Sequence, residues 1–353
     1  MQDFWFRKSI TPPNDIHFKD AGDRQAQLTK PAGSLGALER IACRLAAMQE
    51  REKPSVDSVS IRLFAADHGI ARKGVSAFPQ EVTVQMVANF CQGGAAISVL
   101  ASEIGADLEV VDMGTCSSPL SIPGVIDRTV SAGTLSFDQH RAMTEPQLLQ
   151  ALAAGAEQVD SIGKAGCELF IAGEMGIGNT SSATAISASL LDRTPADLVG
   201  PGTGIDAEHL ARKTEIIETA LAFHRAQGAD LKDAFEVLQC VGGFEIAAMA
   251  GAYMRCAQLG VPILVDGFIS TAAFLCAERL APGTAHWAFA GHVSAEPGHR
   301  VVLEALELEP LLQLQMRLGE GSGAAVATPL IRNACALHNN MATFAEAAVS
   351  NAG

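Results

Sequence analysis

The run LFIAGEMGIGNTSSATAI, residues 169–186, passes from a continuous apolar stretch through a glycine-dense turn into a series of small residues. A short apolar run without polar alternation suits a strand buried on both faces, the habit of parallel sheets. The small residues after it read as a helix. Between them Gly173, Gly176 and Gly178 fall within six positions, a density that weakens helix and strand alike and needs a compensating role. A strand that turns through glycines into a helix gathers backbone N–H groups and a helix N-terminus at one point, a seat for an anion. The turn matches neither G-x-x-x-x-G-K-S/T nor G-x-G-x-x-G. Asn179, Thr180, Ser181 and Ser182 add caps and donors, and Glu174 places a carboxylate in the middle. The plain alternative is a strand-to-helix turn capped by Asn179.

The same grammar recurs. IRLFAADHG (61–69), LEVVDMG (108–114), PILVDGF (262–268) and HWAFAGH (286–292) each end in a polar or acidic residue beside glycine. Alanine-rich helical stretches separate them, among them EVTVQMVANFCQGGAAISVLAS and AEHLARKTEIIETALAFHRA. Alternation of this kind points to an α/β fold with a mostly parallel sheet and flanking helices. Ligands of such sheets bind beyond the carboxyl ends of the strands, so Asp67, His68, Asp112, Glu174, Asp266 and His292 should share one edge. Asp67 and His68 read as a hydrogen-bonded structural pair or as pocket wall. The first fifty residues and the last thirty carry helical patterns without strand signals. The expected division is therefore a small helical domain from 1–55 and 323–353, and a large α/β catalytic domain over 56–322.

Composition narrows the function. The chain has 353 residues, 48% of them apolar and 18% charged, which is a globular balance. Its formal net charge of −14, without any cluster of basic residues, argues against nucleic acid as a partner. Eight cysteines are scattered without C-x-x-C spacing, as reduced thiols of a cytoplasmic protein would be. The N-terminus has no apolar core of a signal peptide. The apolar stretch VPILVDGFISTAAFLCA is broken by Asp266, so no membrane span is expected.

Two further glycine turns carry candidate chemistry. VGPGTGIDAEHLARK sets Gly200, Gly202 and Gly204 ahead of a helix with Asp206 as its N-cap and Lys213 two turns along. Paired with the first turn, it suits a sugar phosphate; Lys213 alone could equally face solvent. MRLGEGSGAA puts Glu320 between Gly319 and Gly321, before a helix capped by Ser322. A carboxylate presented on such a turn can act as a general base, and a nearby helix N-terminus should hold it ionised. It could also be a helix-start acid that only complements the dipole. His292, Glu296 and His299 stand at i, i+4 and i+7, tempting as metal ligands, but Pro297 and Gly298 break the helix that would align them.

Taken in order, LTKPAGSLGALE, AADHGIARKGVSAFPQEVT, GEMGIGNTSSATA, GPGTGID, VGGFEIAAMAGA, VDGFIS, HVSAEPGH and MRLGEGSGAA resemble the nicotinate-nucleotide–dimethylbenzimidazole phosphoribosyltransferase family. The likeness runs from about residue 28 to 340, departing at Ala32, where the family often has a second proline. The resemblance implies a homodimer with a Rossmann-like, mostly parallel sheet and a small helical domain, needing no metal or organic cofactor. It also implies transfer of the 5-phosphoribosyl group of nicotinate mononucleotide to 5,6-dimethylbenzimidazole or a related base. The products would be nicotinate and α-ribazole 5′-phosphate for cobalamin nucleotide-loop assembly.

By the same resemblance Glu320 is the general base; Glu174, the carboxylate at the other suitable turn, is read as orienting the ligand or supporting the base. Gly176, Gly178, Asn179, Thr180, Gly202, Thr203, Gly204 and Lys213 hold the ribose phosphate. Phe78, Gln85, Met86 and Leu318 wall the base pocket. Two other readings stay open at this point: a non-catalytic nucleotide-binding or sensing module, and a metal-dependent hydrolase built on His292, Glu296 and His299.

Overall fold

The computed structural model describes residues 4–202, 204 and 206–350. Among them, β1 (Val59–Ala66), β2 (Asp107–Gly114), β3 (Val125–Asp127), β4 (Leu169–Met175), β5 (Ile263–Val265), β6 (Ala288–His292) and β7 (Pro310–Leu312) form one sheet. Its order is β3-β2-β1-β4-β5-β6-β7, and every pairing is parallel. All of β1 is buried, as is β4 up to Met175, the reason these runs are continuously apolar. Chain order reverses between β1 and β4, where Phe64 pairs with Val111 on one side and Glu174 on the other. The crevice of a doubly wound sheet opens at that reversal.

The helices, in chain order, begin with α1 (Asp15–Gln27), α2 (Ala37–Gln49), α3 (Glu81–Cys91), α4 (Ala96–Ile104) and α5 (Glu145–Lys164). Next come α6 (Asn179–Leu191), the single turn α7 (Pro195–Leu198), α8 (Ala207–Ala226), α9 (Ala234–Val241) and α10 (Phe244–Leu259). The last three are α11 (Phe268–Leu280), α12 (Pro297–Ala305) and α13 (Ser322–Asn340). Helices α5 and α10 pack through glycine: a Cβ on Gly155 would collide with the Ala248 carbonyl, and one on Gly251 with that of Leu152. The apolar stretch 81–104 is two helices, not one, because Gly93 takes φ +82° and the chain turns there.

The two ends of the chain meet. Helix α1 packs on α2 and α13 packs on α2. Arg24 donates to the carbonyls of His338 and Asn339, and Leu28 bridges Thr343. The first turns of α13 instead lie against the sheet, since α13 also packs on β6 and α4. The strands β3 and β7 have three residues each, too few to show a period, and they escape the sequence reading. His286 and Trp287 belong to a 3-10 turn before β6 rather than to the strand.

Candidate active site

A cavity of about 430 Å3 opens at the carboxyl ends of the strands. Glu174, Glu320 and His292 line one part of it, Thr180, Gly202, Ser294 and Glu296 another, and Phe78, Met86 and Leu318 give apolar wall.

Glu320 sits in a backbone conformation that few residues adopt. Its φ is +66°, between Gly319 at +89° and Gly321 at +87°, so three successive residues are left-handed, a strained arrangement typical of sites. What holds the turn is Asp266, just past β5. Its Oδ2 accepts from the Gly321 amide at 3.1 Å and its Oδ1 from Ala324 at 2.8 Å. These bonds satisfy the first amides of α13, where Gly321, not Ser322, occupies the N-cap position without a capping side chain. Glycine also lets β4 approach: a Cβ on Gly173 would strike the Glu320 carbonyl, and one on Gly319 would strike Glu174 Oε1. The two glutamates share one corner because both backbones lack side chains there.

Burial dominates their titration. Glu320 is 5% exposed and Glu174 6%. Desolvation pushes the Glu320 carboxyl up, the Ile97 amide opposes this, and Asp266 adds to the rise. The helix N-terminus, expected to hold Glu320 ionised, is opposed by the loss of water, which raises the carboxyl's pKa. Glu174 is raised well above the ordinary glutamate range by burial first, then by Glu245; the Asn179 amide opposes, and Asp266 and Glu320 add further repulsion. Asn179 is the first residue of α6 rather than its cap. The N-cap position falls to Gly178 at φ +99°, and Asn179 Nδ2 donates to Glu174 Oε2.

Lys213 does not face solvent. It is 1% exposed on α8, and its Nζ donates to Thr180 Oγ1 at 2.9 Å and to the Gly200 carbonyl at 3.2 Å. It thus ties the two glycine turns together from beneath. Burial lowers its pKa to about 8, with Glu296 opposing.

Of the other expected residues, Gly176 lines the cavity. Gly178 turns toward Ala71 and Gly204 is exposed; neither is on the cavity wall. Thr203 lies outside the described residues. Gln85 is corrected: it is exposed and off the wall, because Val82 and Met86, four apart on α3, are the residues that face inward.

Asp67 and His68 are not a pair. Asp67 Oδ2 accepts from the Cys116 amide, whereas His68 is bonded to Glu245 Oε1 at 2.6 Å and Ser182 Oγ at 3.0 Å, buried under the 173–178 turn. Asp112 turns back onto Ser118 and the Gly114 amide. The metal alternative fails on orientation. His299 accepts from the Ser294 amide at Nδ1 and meets Thr271 at Nε2, and burial drives its pKa down to about 3. His292 Nε2 points to Asp266 at 3.6 Å, and Glu296 Oε1 accepts from Gly202. Among the described residues, no group of His, Cys, Asp and Glu side chains is arranged to hold a metal. Ser294, Arg317 and Phe268 are wall residues that the sequence reading missed; only their places just beyond β6, beside Leu318 and after the Asp266 strand end hinted at them.

A parallel sheet with a strand-end cavity, two glycine turns tied by a buried lysine and a pair of buried carboxyls suit a transferase of phosphorylated sugars. Residues 10–349 match the sequence profile of a family described as phosphoribosyltransferase, and the chain belongs to that family. It is 54% identical over 347 residues to the nicotinate-nucleotide–dimethylbenzimidazole phosphoribosyltransferase of Pseudomonas aeruginosa strain UCBPP-PA14, covering 98% of both chains. With the protein of that description from Azotobacter vinelandii it shares 54% over 355 residues, covering 100% of both. A crystal structure of the Thermus thermophilus protein so described superposes with a TM-score of 0.89 at 44% identity, over 96% of this chain and 100% of that one.

Proposed function

We propose that this phosphoribosyltransferase moves the 5-phosphoribosyl group of nicotinate mononucleotide onto 5,6-dimethylbenzimidazole or a related base. The products are nicotinate and α-ribazole 5′-phosphate, a component of the cobalamin nucleotide loop. The observation that carries this reading is the two-ended cavity. One end has Gly176, Thr180 and Gly202 over the buried Lys213, and the other has Glu174 and Glu320 beside apolar wall.

The phosphate rests at the first end, on backbone amides and the Lys213 charge. Nicotinate bonded through its ring nitrogen leaves without a general acid. The incoming base attacks the anomeric carbon with one ring nitrogen, and its other nitrogen becomes acidic as the new bond forms. Glu320 takes that proton. Its Oε2 is buried and has no partner among the described residues, and a carboxylate of raised pKa is the stronger base. Glu174 orients the ligands and supports the turn. Attack from the face opposite nicotinate converts a β-linkage into an α-linkage, and holding both ligands in line supplies much of the acceleration.

A second copy of the chain suits the cavity mouth, where Phe78 and Leu318 are 52% and 56% exposed; we take the enzyme to be a homodimer. Eight free thiols support a reducing, cytoplasmic setting. The test is to mix protein, nicotinate mononucleotide and dimethylbenzimidazole and to assay free nicotinate and α-ribazole 5′-phosphate. Absence of turnover with benzimidazole and phenolic acceptors alike would leave only a nucleotide-binding module.

A further inference from the structure

Glu296 is a carboxylate where an anion is to be bound. It holds the N-cap position of α12 yet does not cap that helix. Its side chain reaches back instead, and Oε1 accepts from the Gly202 amide at 3.1 Å. Oε2 is buried and has no partner among the described residues, and a Cβ on Gly200 would collide with it. The residue is 7% exposed and lines the cavity with Thr180, Gly202 and Ser294.

The charged groups around it are few. Lys213 from α8 and Arg317 from the segment after β7 act on it favourably. Arg300, on its own helix, lines a neighbouring depression that Ser294 and Glu296 also border, but the cations that act on the carboxyl are Lys213 and Arg317. His299 is engaged by Thr271 and Ser294, and His292 of β6 is turned to Asp266. Two cations against one carboxylate leave about one net positive charge for a phosphate monoester carrying nearly two negative charges at pH 7. A phosphate oxygen beside bare Oε2 would set acceptor against acceptor, which a buried site does not tolerate.

We propose that Glu296 shares a proton with the substrate phosphate: nicotinate mononucleotide binds with uptake of one proton from solvent, which bridges Glu296 Oε2 and a phosphate oxygen. No bond to phosphorus forms or breaks, and the proton returns to solvent when the phosphorylated product leaves. The inference rests on the reading that this end of the cavity seats the phosphate. It makes the site selective for an anion that can be protonated near neutrality, so phosphate is preferred to sulfate. Burial raises the Glu296 carboxyl, which favours the shared proton.

The test is calorimetric titration of the ligand-free enzyme with nicotinate mononucleotide at pH 7, in two buffers of different ionisation enthalpy. Lys213, with a pKa of about 8, is about nine-tenths charged at that pH and contributes only about a tenth of a proton. Wild type should take up close to one proton, and affinity should fall up to tenfold per pH unit between pH 7 and 8. In Glu296→Gln the amide can donate to the phosphate dianion directly, so uptake should drop below half the wild-type value. Inorganic phosphate should compete at least tenfold better than sulfate in wild type, and this margin should shrink in the variant. Zero uptake by wild type, with nicotinate riboside binding at least tenfold more weakly than the nucleotide, would overturn the Glu296 proposal and keep the seat. Riboside binding as tightly as the nucleotide would sink both. The wild-type measurement decides even if the variant does not fold.

Discussion

Asp266 Oδ2 accepts a hydrogen bond from the Gly321 amide at 3.1 Å, so a strand-end carboxylate in mid-chain fixes the turn that presents Glu320. With the second bond to Ala324 at 2.8 Å, it determines where the Glu320 carboxyl stands relative to the sheet. Asp266→Ala should therefore lower kcat by about 10²-fold, the usual result of misplacing a reacting group by an ångström. It should also cost about 1–3 kcal/mol of stability from the unsatisfied amides. Steady-state kinetics with thermal unfolding checks this; unchanged kcat in a folded variant would show that the turn holds itself.

Gly319→Ala attacks the same corner from the other side. The new Cβ would strike Glu174 Oε1 at a position with φ +89°, so strain of about 1–3 kcal/mol adds to displacement of a carboxyl. Turnover should fall more than nucleotide affinity does, because the phosphate end is untouched. A KM change without a kcat change would place Glu174 in nucleotide binding instead.

The pH dependence of stability follows from Glu174. Its folded pKa lies above the unfolded value, chiefly through burial. Such a group contributes stability below the unfolded pKa and loses it as pH rises through the folded one, because the folded state must then bury a charge. Glu174→Gln should accordingly be more stable than wild type at pH 8, with the gap closing toward pH 4. Unfolding temperatures across that range give the answer, and a gap that widens in acid would reverse the sign of the argument.

Lys213 should leave its mark on nucleotide use. Its charge is lost above about pH 8, so kcat/KM for the nucleotide should decline there. Lys213→Ala should flatten that limb and raise KM for nicotinate mononucleotide while leaving KM for the base nearly unchanged. A nucleotide KM equal to that of wild type would mean that Lys213 only braces Thr180 and Gly200.

Much of this arrangement was legible in the chain. Continuous apolar runs ending in glycine marked the long strands because burial on both faces leaves no polar alternation, as in β1 and β4. Glycine turns marked the corner of Glu174 and Glu320 because only glycine admits such close backbone approach. Gln85 was misplaced by one position of helical phase: the face is set by what α3 packs against, not by its own composition. The rise in the Glu320 pKa was not legible, since local sequence shows a helix start but not the walls that exclude water. The capping by Asp266, 55 residues away from Gly321, joins partners that no local pattern connects.

The claim that everything else serves is that Glu320 removes the proton from the incoming base. The most direct test is the turnover rate of Glu320→Gln at concentrations where calorimetry shows both nicotinate mononucleotide and dimethylbenzimidazole bound. The account expects kcat to fall about 10²- to 10⁴-fold, the usual worth of a general base, with the unfolding temperature and both affinities nearly kept. A doubly liganded variant that turns over at close to the wild-type rate would contradict it.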